Sequence, residues 1–379
     1  MKLAVLKERL EGEPRVAATP DTVKRFAALG LDVAVEAGAG TASGVLDGGY
    51  RAAGAAIVPS AEEAVRDADI ILKVRGPTRT EIAGAKKGAV LVGLMNPYAE
   101  RELIGAYAEA GLLAFAMELL PRISRAQSMD VLSSQSNLAG YRAVIDAAAA
   151  ISRAFPMMMT AAGTVPPARV LVMGAGVAGL QAIATAKRLG AIVSATDVRP
   201  AAKEQVESLG GTFVAVIDDE FKAAETAAGY AKEMSKEYQA KQAALIAQTI
   251  LKQDVVITTA LIPGRPAPRL VNFEMIRSMR AGAVIVDLAV EQGGNVEGSR
   301  AGEIVSVGNV KILGYKNVPG RVANDASMLY AKNLFNFLAP LIDKDNKALK
   351  IDWADEIIAG TLLTRDGAVV HKSLAQHGL

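Results

Sequence analysis

Short apolar runs alternate with amphipathic stretches along most of this chain, and this alternation constrains the fold more than any other feature. Apolar runs of about four to eight residues are typical of buried strands, whereas apolar positions spaced by about three and four residues are typical of helices. A strand followed by a helix and another strand predicts a parallel sheet covered by helices. The predicted strands are Leu3–Leu6, Leu31–Glu36, Ala56–Val58, Ile70–Val74, Ala89–Gly93 and Leu112–Met117 in a first block, and Arg169–Met173, Ala191–Thr196, Phe213–Val216, Asp254–Thr259, Ala283–Asp287 and Val310–Leu313 in a second block. The sequence therefore predicts an α/β protein with two Rossmann-like domains.

The two blocks predict two domains, one inserted into the other. The chain has 379 residues, which at about 150 residues per domain is enough for two or three. After Asp325 the chain returns to a helical stretch, and the remaining roughly fifty residues are too few for a core of their own. We therefore predict an N-terminal domain of residues 1–137 and 322–379 and an inserted domain of residues 138–321. The functional site is expected in the cleft between them.

Composition excludes several kinds of chemistry. The chain has no Cys, and its two His residues, His371 and His377, lie within the last nine residues. Disulfides, thiolate nucleophiles and Cys/His zinc sites are therefore excluded, and no metal site is expected. The 42 Lys and Arg against 40 Asp and Glu leave a net charge of +2, too balanced for nucleic-acid binding. No apolar run reaches the roughly 20 residues of a membrane-spanning helix, and no export signal is present, so a cytoplasmic location is expected.

Gly174, Gly176 and Gly179 form the pattern GxGxxG between a predicted strand and a predicted helix. In this context the first glycine permits a tight turn, the second lets the backbone approach a pyrophosphate, and the third lets the helix pack closely on the strand. The helix N-terminus would present its partial positive charge to the phosphates. The pattern favours a dinucleotide site over a Gly-rich turn without a ligand.

Asp197 ends the next predicted strand, 18 residues after Gly179. A carboxylate at this point can accept both hydroxyls of an adenosine ribose and repels a 2′-phosphate, which favours NAD(H) over NADP(H). Arg199 leaves the alternative open, because an arginine at this turn can bind a 2′-phosphate.

Two polar segments allow more than one interpretation. Residues 218–242 are rich in Ala, Lys and Glu, with Gly229 and Tyr230 near the centre, and form either a solvated helix or a mobile lid. The segment that begins at Pro121 reads PRISRAQSMDVLSSQSNLAGYRAV. It is either a polar interdomain loop or a crossover beside a bound nucleotide.

The second of these segments carries a family resemblance. RISRAQSMD and SSQSNLAGYRAV, with PMMMTAAGTVPPARVLVMGAGVAGLQAIATAKRLGA, TTALIPG, VIVDLA and NVPGRVANDAS, resemble proton-translocating NAD(P) transhydrogenases. The resemblance is to their NAD(H)-binding component, domain I of the alpha subunit, in its split-subunit form, and it covers essentially the whole chain. Alanine dehydrogenase is the nearest relative in fold and shares Lys7, Glu8 and Arg15.

The resemblance implies a set of residues that contact the nucleotide. Arg122 would lie toward the carboxamide of the nicotinamide and Gln127 between the two rings, while Asp130 and Ser133 would hold the nicotinamide and its ribose. The other implied contacts are Ser124, Arg125, Ser128 and Met129 in the same segment, Gly174, Gly176, Val177, Ala178 and Gly179 at the pyrophosphate, Asp197, Val198 and Arg199 at the adenosine ribose, Leu261 on the far side, and Gly229, Tyr230 and Gln242 in the mobile loop or its surroundings. The resemblance thus favours the lid interpretation of residues 218–242.

The histidine count separates the two enzymes of this fold. Alanine dehydrogenases use a histidine of the first domain as acid and base, with an arginine and a lysine that hold the keto acid. Arg15 and Lys73 are present here, but the stretch from Leu91 to Tyr98 reads LVGLMNPY, without a histidine. Amine oxidation requires several proton transfers, whereas hydride exchange between nicotinamides requires none. Arg15 and Lys73 are then either inherited from the shared fold or part of buried ion pairs.

The resemblance also implies partners. The sequence has one Gly-rich fingerprint, so NADP(H) would be carried by another polypeptide, domain III of the beta subunit, and hydride would pass directly from NADH to NADP⁺. This exchange would be coupled to proton translocation by membrane-spanning subunits. The component would be a homodimer, peripheral on the cytoplasmic face of the membrane. An alanine dehydrogenase-like enzyme and a regulatory NAD-binding protein without catalysis are the alternatives.

Overall fold

A computed structural model describes residues 1–223, 234–262 and 265–375. The chain divides into two compact units, the first formed by Met1–Gln135 with Pro319–Leu379 and the second by Ser136–Val318. The second unit is therefore inserted into the first along the chain, and each unit is built on a sheet whose strands run mainly parallel. The limits drawn from sequence, after residues 137 and 321, fall two and three residues later than these boundaries.

The N-terminal portion of the first unit forms a parallel sheet covered by helices. Its strands are β1 (Lys2–Val5), β2 (Asp32–Glu36), β3 (Ala56–Val58), β4 (Ile70–Arg75), β5 (Val90–Leu94) and β6 (Leu113–Ala116), and its helices are α1 (Pro20–Ala28), α2 (Asp47–Ala52), α3 (Ala61–Val65) and α4 (Arg101–Glu109). Short 3₁₀ segments lie at Thr41–Ser43, Met117–Leu119 and Ser124–Met129. The strand order is β3-β2-β1-β4-β5-β6. This is the doubly wound order, whose ligand crevice lies beyond the carboxyl ends of β1 and β4.

The strand β4 shows why this sheet is stable. Ile70, Ile71, Leu72 and Val74 are fully buried, because a parallel strand covered by helices on both faces has no exposed side. Lys73 is buried among them and must therefore be paired within the protein.

The second unit follows the start of the long helix α5 (Val131–Ala150), most of which belongs to it. Its strands are β7 (Met158–Thr160), β8 (Gly163–Val165), β9 (Arg169–Met173), β10 (Ile192–Thr196), β11 (Thr212–Phe213), β12 (Val255–Thr258), β13 (Val284–Asp287), β14 (Ile304–Val307) and β15 (Val310–Leu313), and its helices are α6 (Val177–Arg188), α7 (Ala202–Ser208), α8 (Asp219–Lys222), α9 (Lys236–Ile250) and α10 (Phe273–Ser278). Further 3₁₀ segments lie at Val290–Gln292 and Val318–Val322. The main sheet has the order β11-β10-β9-β12-β13-β15-β14. The reversal of strand order beside β9 again marks the ligand crevice of a doubly wound sheet.

Two antiparallel pairs in this unit were not predicted from sequence. β7 and β8 form an exposed hairpin, and β14 pairs with β15 at the edge of the main sheet. The strands β7, β8 and β14 have three or four residues and largely exposed or half-buried side chains. They therefore lack the buried apolar run by which the other strands were found.

The C-terminal portion of the chain completes the first unit. Its elements are α11 (Ala323–Leu338), the 3₁₀ segment Ala339–Leu341, β16 (Ile342–Asp343), β17 (Ala348–Leu349), α12 (Glu356–Thr361), β18 (Thr364–Arg365), β19 (Ala368–Val369) and α13 (Lys372–Ala375). Tyr330, Leu334, Phe337 and Leu338 of α11 are buried in the core of the first unit. The ring of Phe337 packs edge-on against Phe115 of β6, with centroids 5.5 Å apart. The returning stretch therefore shares the core of the first unit.

Candidate functional site

The glycine pattern of the second unit forms the turn between β9 and α6. Gly174 has a φ of +106°, a conformation that L side chains rarely adopt. A Cβ on Gly179 would lie 1.8 Å from the carbonyl oxygen of Gly174, so only glycine lets the helix begin this close to the strand. A Cβ on Gly176 would meet no heavy atom within 4 Å. The space in front of Gly176 is therefore open, as close approach of a pyrophosphate to the backbone requires.

The N-terminus of α6 supplies the electrostatic contribution of this turn. Gly176 is the N-cap residue, and no side chain caps the helix. The first N–H groups of a helix without a capping side chain can bind an anion, and the helix dipole favours negative charge there. Val177 is exposed and Ala178 half-buried. The residues present thus fit the diphosphate of a dinucleotide.

Gly140 of α5 is a structural requirement of the same turn that sequence reasoning missed. A Cβ at this position would lie 2.0 Å from the carbonyl oxygen of Ala178. Helix α5 therefore packs against the first turn of α6 with almost no space between the backbones. The signal in the sequence was a glycine inside a helical pattern, which can mark a position of close packing.

Asp197 follows the end of β10 and is tied to the glycine turn. Its carboxylate accepts hydrogen bonds from the backbone N–H of Ala175 (2.7 Å) and of Arg199 (2.9 Å). The Arg199 guanidinium donates to both carboxylate oxygens, at 2.9 and 3.0 Å. Burial alone would raise the pKa of Asp197, but the bonds from Arg199 and Ala175 outweigh it and hold the pKa below its ordinary value. Asp197 is therefore ionised at neutral pH.

The pairing of Arg199 bears on the choice of nucleotide. Its guanidinium lies on Asp197, so its charge is compensated where a 2′-phosphate would need it. The Arg199 side chain is 34% exposed and can move aside, which would leave the carboxylate for the hydroxyls of a ribose. Val198, between the two, is exposed.

Leu261 lies just beyond β12 and is about half exposed. The preceding residue is fixed by Asn295, whose side chain bonds both the N–H (3.0 Å) and the carbonyl oxygen (2.9 Å) of Ala260. Asn295 is fully buried and is itself held by Asp287, which accepts its backbone N–H at 3.2 Å. Sequence reasoning missed Asn295, because nothing local distinguishes it from an ordinary loop asparagine.

Gln242 lies in α9 and bridges two segments of the second unit. Its amide accepts the N–H of Val216 at 2.9 Å and donates to the Thr196 hydroxyl at 3.0 Å. It is therefore near the end of β10, but its hydrogen bonds are made to protein. The predicted mobile segment 218–242 contains α8 and the start of α9. Gly229 and Tyr230 lie outside the described residues.

The segment from Arg122 to Ser133 lies in the first unit. Arg122, Ser124, Arg125, Gln127 and Ser128 are exposed, whereas Met129 is buried. Most of the segment is the 3₁₀ turn Ser124–Met129, which ends where α5 begins. The structure thus brings the polar residues implied for the nicotinamide end into one short stretch of surface.

Two side-chain contacts fix the ends of this segment. Asp130 accepts the N–H of Ser133 at 2.9 Å and also the Ser133 hydroxyl, which caps the N-terminus of α5. Arg125 forms a two-point ion pair with Asp355, with N···O distances of 2.6 and 2.8 Å. Asp130 and Ser133 are therefore partners of each other.

Arg15 is buried and compensated. Its guanidinium bonds both carboxylate oxygens of Glu13, at 2.7 and 2.6 Å, and the side-chain oxygen of Gln135 at 2.8 Å. Glu13 also accepts Arg75 at 3.0 Å. Arg15 therefore forms a buried ion pair, the second of the two roles left open by the sequence.

Lys73 is compensated in the same way. Its ammonium donates to Glu81 (2.8 Å) and to the carbonyl oxygen of Lys7 (2.9 Å), and lies 3.4 Å from Glu8. Burial raises the pKa of Glu8 to about 7, although Lys73 and the N–H groups of Val74 and Arg75 oppose this. Two carboxyl groups thus surround one ammonium in the crevice of the first sheet.

Metal-binding clusters and membrane-spanning helices are two further features that bear on function. The described residues contain no group of three or more His, Asp or Glu that could hold a metal ion. No helix in the ranges 1–223, 234–262 and 265–375 combines the length and the apolar character needed to cross a bilayer.

Comparison with known proteins places these observations in a family. The model "Alanine dehydrogenase/PNT, N-terminal domain" matches residues 4–139, and "Alanine dehydrogenase/PNT, C-terminal domain" matches residues 143–372. The first of the two alpha-subunit chains of NAD(P) transhydrogenase from Rhodospirillum rubrum is 57% identical over 383 residues, covering 100% of both chains. The crystal structure of transhydrogenase from Sinorhizobium meliloti is 57% identical and has a TM-score of 0.89, covering 98% of this chain and 100% of that chain. Alanine dehydrogenase of Methanococcus maripaludis is 30% identical, covering 99% of this chain and 96% of the relative.

The parallel sheets and the glycine turn define an NAD(P)-binding fold of the dehydrogenase-like class. The chain belongs to the alanine dehydrogenase/PNT family. Within that family it stands with the split alpha subunits of the transhydrogenases, at 57% identity against 30% for an alanine dehydrogenase. The resemblance read from the sequence is confirmed.

Proposed function

We propose that this chain is the NAD(H)-binding component of a proton-translocating transhydrogenase. It would pass hydride directly from its own NADH to NADP⁺ held by domain III of the beta subunit. The observation that carries the proposal is the 57% identity over the full length of a relative named as a split alpha subunit of NAD(P) transhydrogenase. The open glycine turn and the ionised Asp197 supply the physical requirements of the nucleotide site.

The second unit would hold the nucleotide's diphosphate and adenosine. Gly176, Val177, Ala178 and Gly179 would bind the diphosphate through the N-terminus of α6, because this end of the helix is open and uncapped. Asp197 would accept the ribose hydroxyls after Arg199 moves aside. NAD(H) is favoured over NADP(H), because a 2′-phosphate would approach a carboxylate held ionised.

The first unit would orient the reacting ring. A bound nicotinamide supplies the carbon that gives or takes the hydride, and the chain's own task is to fix its position. Gln127 and Arg122 present an amide and a guanidinium on the exposed face of the 122–133 segment, while Asp130 and Ser133 would hold the ribose. Orientation alone can supply the equivalent of about 7–11 kcal/mol of the barrier.

The contacts of Arg15 and Lys73 argue against keto-acid chemistry at the crevice of the first sheet. Arg15 is bonded at two points to Glu13, and Lys73 is bonded to Glu81. A keto-acid carboxylate would have to displace buried protein carboxylates from both cations. Hydride exchange between two nicotinamides moves no proton, so it needs no acid or base in their place.

The proposal includes the assembly. The chain would form a homodimer, bind domain III of the beta subunit and associate with membrane-spanning subunits on the cytoplasmic face of the membrane. Proton movement through those subunits would alter NADP(H) affinity in the partner, which is an equilibrium coupling between separate sites.

The direct test is hydride exchange between the isolated components. The purified chain is mixed with domain III loaded with NADPH, and reduction of an oxidised NAD analogue is followed by absorbance. We expect rapid exchange with both components and none with either alone. Absence of exchange in the complete mixture, with nucleotide binding to each component verified, would refute the proposal.

Two controls identify the alternatives. NADH formation from L-alanine and NAD⁺ by the chain alone would indicate an alanine dehydrogenase, and we expect none. The variant Gln127→Asn should lower the exchange rate with little change in NADH affinity, because it shortens an exposed side chain without altering the nucleotide's other contacts. Nucleotide binding without exchange under any condition would instead indicate a regulatory NAD-binding protein.

A further inference from the structure

The six-residue turn Ser124–Met129 needs support from outside itself. Runs of 3₁₀ helix longer than about four residues are uncommon, because their hydrogen bonds have poor geometry. Residues three apart lie on one face of such a helix, and here Ile123, Ala126 and Met129 form the face that packs on the core. The hydrophobic face fixes the depth of the turn, but leaves its outer face to be positioned by polar contacts.

Gln127 lies on that outer face. Its side chain is exposed and makes no hydrogen bond with any described residue. Its position is therefore set by the backbone on either side of it. Whatever fixes the carbonyl group of Ser128 also fixes the direction in which Gln127 points.

The carbonyl oxygen of Ser128 is held by two asparagines of α11. The side-chain amide groups of Asn333 and Asn336 each donate to it at 2.9 Å. Asn333 is buried, with 8% of its surface exposed, whereas Asn336 is half-buried. The side-chain oxygen of Asn333 also accepts the hydroxyl of Ser134 at 2.7 Å. One side chain thus connects the end of the 3₁₀ turn to the first turn of α5.

Helix α11 is a rigid support for this contact. Tyr330, Leu334 and Phe337, which flank Asn333 in the helix, are fully buried in the core of the first unit. The Tyr330 hydroxyl donates to the carbonyl oxygen of Lys73 at 3.0 Å, which ties α11 to the central strand β4. Asn333 is therefore fixed with respect to the sheet.

We propose that Asn333 is a positioning residue for hydride transfer, which sets the orientation of Gln127 through the carbonyl group of Ser128, with Asn336 as a weaker second donor. The inference rests on the proposed function for its kinetic consequence. Its structural consequence, the order of the 124–129 turn, does not depend on that function.

The test is the variant Asn333→Asp in the full-length chain. An ionised carboxylate cannot donate to the Ser128 carbonyl but still accepts from Ser134. We expect the exchange rate with NADPH-loaded domain III at pH 8 to fall by about 10- to 100-fold, the scale of a displacement of about 1 Å in a reacting group, with NADH affinity changed less than about threefold. A neutral carboxyl group can donate again, so the variant's rate relative to the unmodified chain should recover toward one as the pH is lowered to about 5.5.

The matched control is Asn324→Asp on the same helix. Asn324 also donates its side-chain amide to a backbone carbonyl, that of Ser43, at 2.9 Å, but it has no contact with the 124–129 turn. We expect an unchanged exchange rate in this variant. If Asn333→Asp does not fold, Asn336→Asp replaces it, because the half-buried Asn336 tolerates a charge. Its rate should fall in the same direction by a smaller factor.

Trypsin cleavage after Arg122 and Arg125 tests the structural step independently of hydride transfer. Both residues are exposed, so cleavage there reports the order of the turn. We expect cleavage of Asn333→Asp to be at least about fivefold faster than that of the unmodified chain and of Asn324→Asp, because a loosened turn opens more often. Faster cleavage with no exchange even in the unmodified chain would refute the proposed function and leave the positioning intact. Normal cleavage and a normal exchange rate in Asn333→Asp would overturn the inference.

Discussion

Buried charged residues in this protein are compensated by specific partners. Asp197 is paired with Arg199, Arg15 with Glu13, and Lys73 with Glu81. Breaking a buried pair leaves an uncompensated charge, which costs about 3–5 kcal/mol. The consequences of a substitution therefore depend on which partner remains.

Asp197→Ala should lower NADH affinity and narrow the preference over NADPH. The variant loses the acceptor for the ribose hydroxyls and frees the Arg199 guanidinium, which then can bind a 2′-phosphate. We expect NADH to bind about 10- to 100-fold more weakly, since hydrogen bonds to charged groups contribute about 1.5–3 kcal/mol. Titration with each nucleotide measures the effect.

The companion variant Arg199→Ala separates the two roles. It should retain the preference for NADH, because Asp197 remains. The double variant should bind both nucleotides weakly. A native preference for NADPH would show that Arg199 determines the specificity and that Asp197 does not.

Glu8→Gln should change how stability depends on pH. The pKa of Glu8 is raised from an ordinary value of 4.5 to about 7 by burial. The folded protein therefore holds this proton more tightly than the unfolded chain, and its stability falls as the pH rises from 4.5 to about 7. The penalty, at about 1.4 kcal/mol for each pKa unit, is fully present above that range.

Urea unfolding at about pH 5 and pH 8 measures this effect. The free energy of unfolding of Glu8→Gln, relative to the unmodified chain, should be higher at pH 8 than at pH 5 by up to about 3 kcal/mol. Glu11→Gln, at an exposed position, is the control and should show no such difference. An equal difference for Glu8→Gln at both pH values would contradict the assigned pKa.

Among the structural elements, the turn between β9 and α6 contains two glycines with different tasks. Gly179 allows α6 to contact the strand end, and Gly176 leaves the space in front of the helix open. Both positions are the same letter in the sequence, but the structure gives one glycine a packing reason and the other a binding reason.

Alanine substitutions distinguish these tasks. Gly176→Ala should change the free energy of unfolding by less than about 0.5 kcal/mol, because its Cβ meets no atom within 4 Å, yet lower NADH affinity more than about tenfold by occupying the open space. Gly179→Ala should destabilise the protein by about 1–3 kcal/mol or more, because its Cβ would lie 1.8 Å from the Gly174 oxygen. Thermal unfolding and NADH titration of both variants test the pair, and a stable Gly176→Ala with unaltered NADH affinity would remove the diphosphate assignment.

Across the molecule as a whole, the two units depend on the chain differently. The second unit is continuous, from Ser136 to Val318, whereas the first is completed only by the segment from Pro319 onward. The core of the first unit includes Tyr330, Leu334 and Phe337 of α11, far along the chain from its sheet.

Fragments should reflect this difference. Residues 136–318 alone should fold cooperatively and bind ADP-ribose with nearly the affinity of the full chain, because the diphosphate and adenosine residues all lie within them. Residues 1–135 alone should remain unfolded, because the apolar surface covered by α11 would be exposed. Circular dichroism, thermal unfolding and calorimetric titration decide both points. A folded 1–135 fragment would show that α11 is dispensable to the core.

Local signals in the sequence were enough to establish the α/β class, the insertion of one unit into the other, the glycine turn and the family, because apolar periodicity and the GxGxxG context can be read over short stretches. The missing histidine of the first domain also favoured the transhydrogenases over the alanine dehydrogenases. Gly140, Asn295 and Asn333 were not found in this way, nor was the choice between the two roles of Arg15 and Lys73. These depend on contacts between residues distant in the chain, such as Asn333 with Ser128. Tertiary structure alone decides which polar side chains meet, because burial without a partner is what makes such pairings necessary.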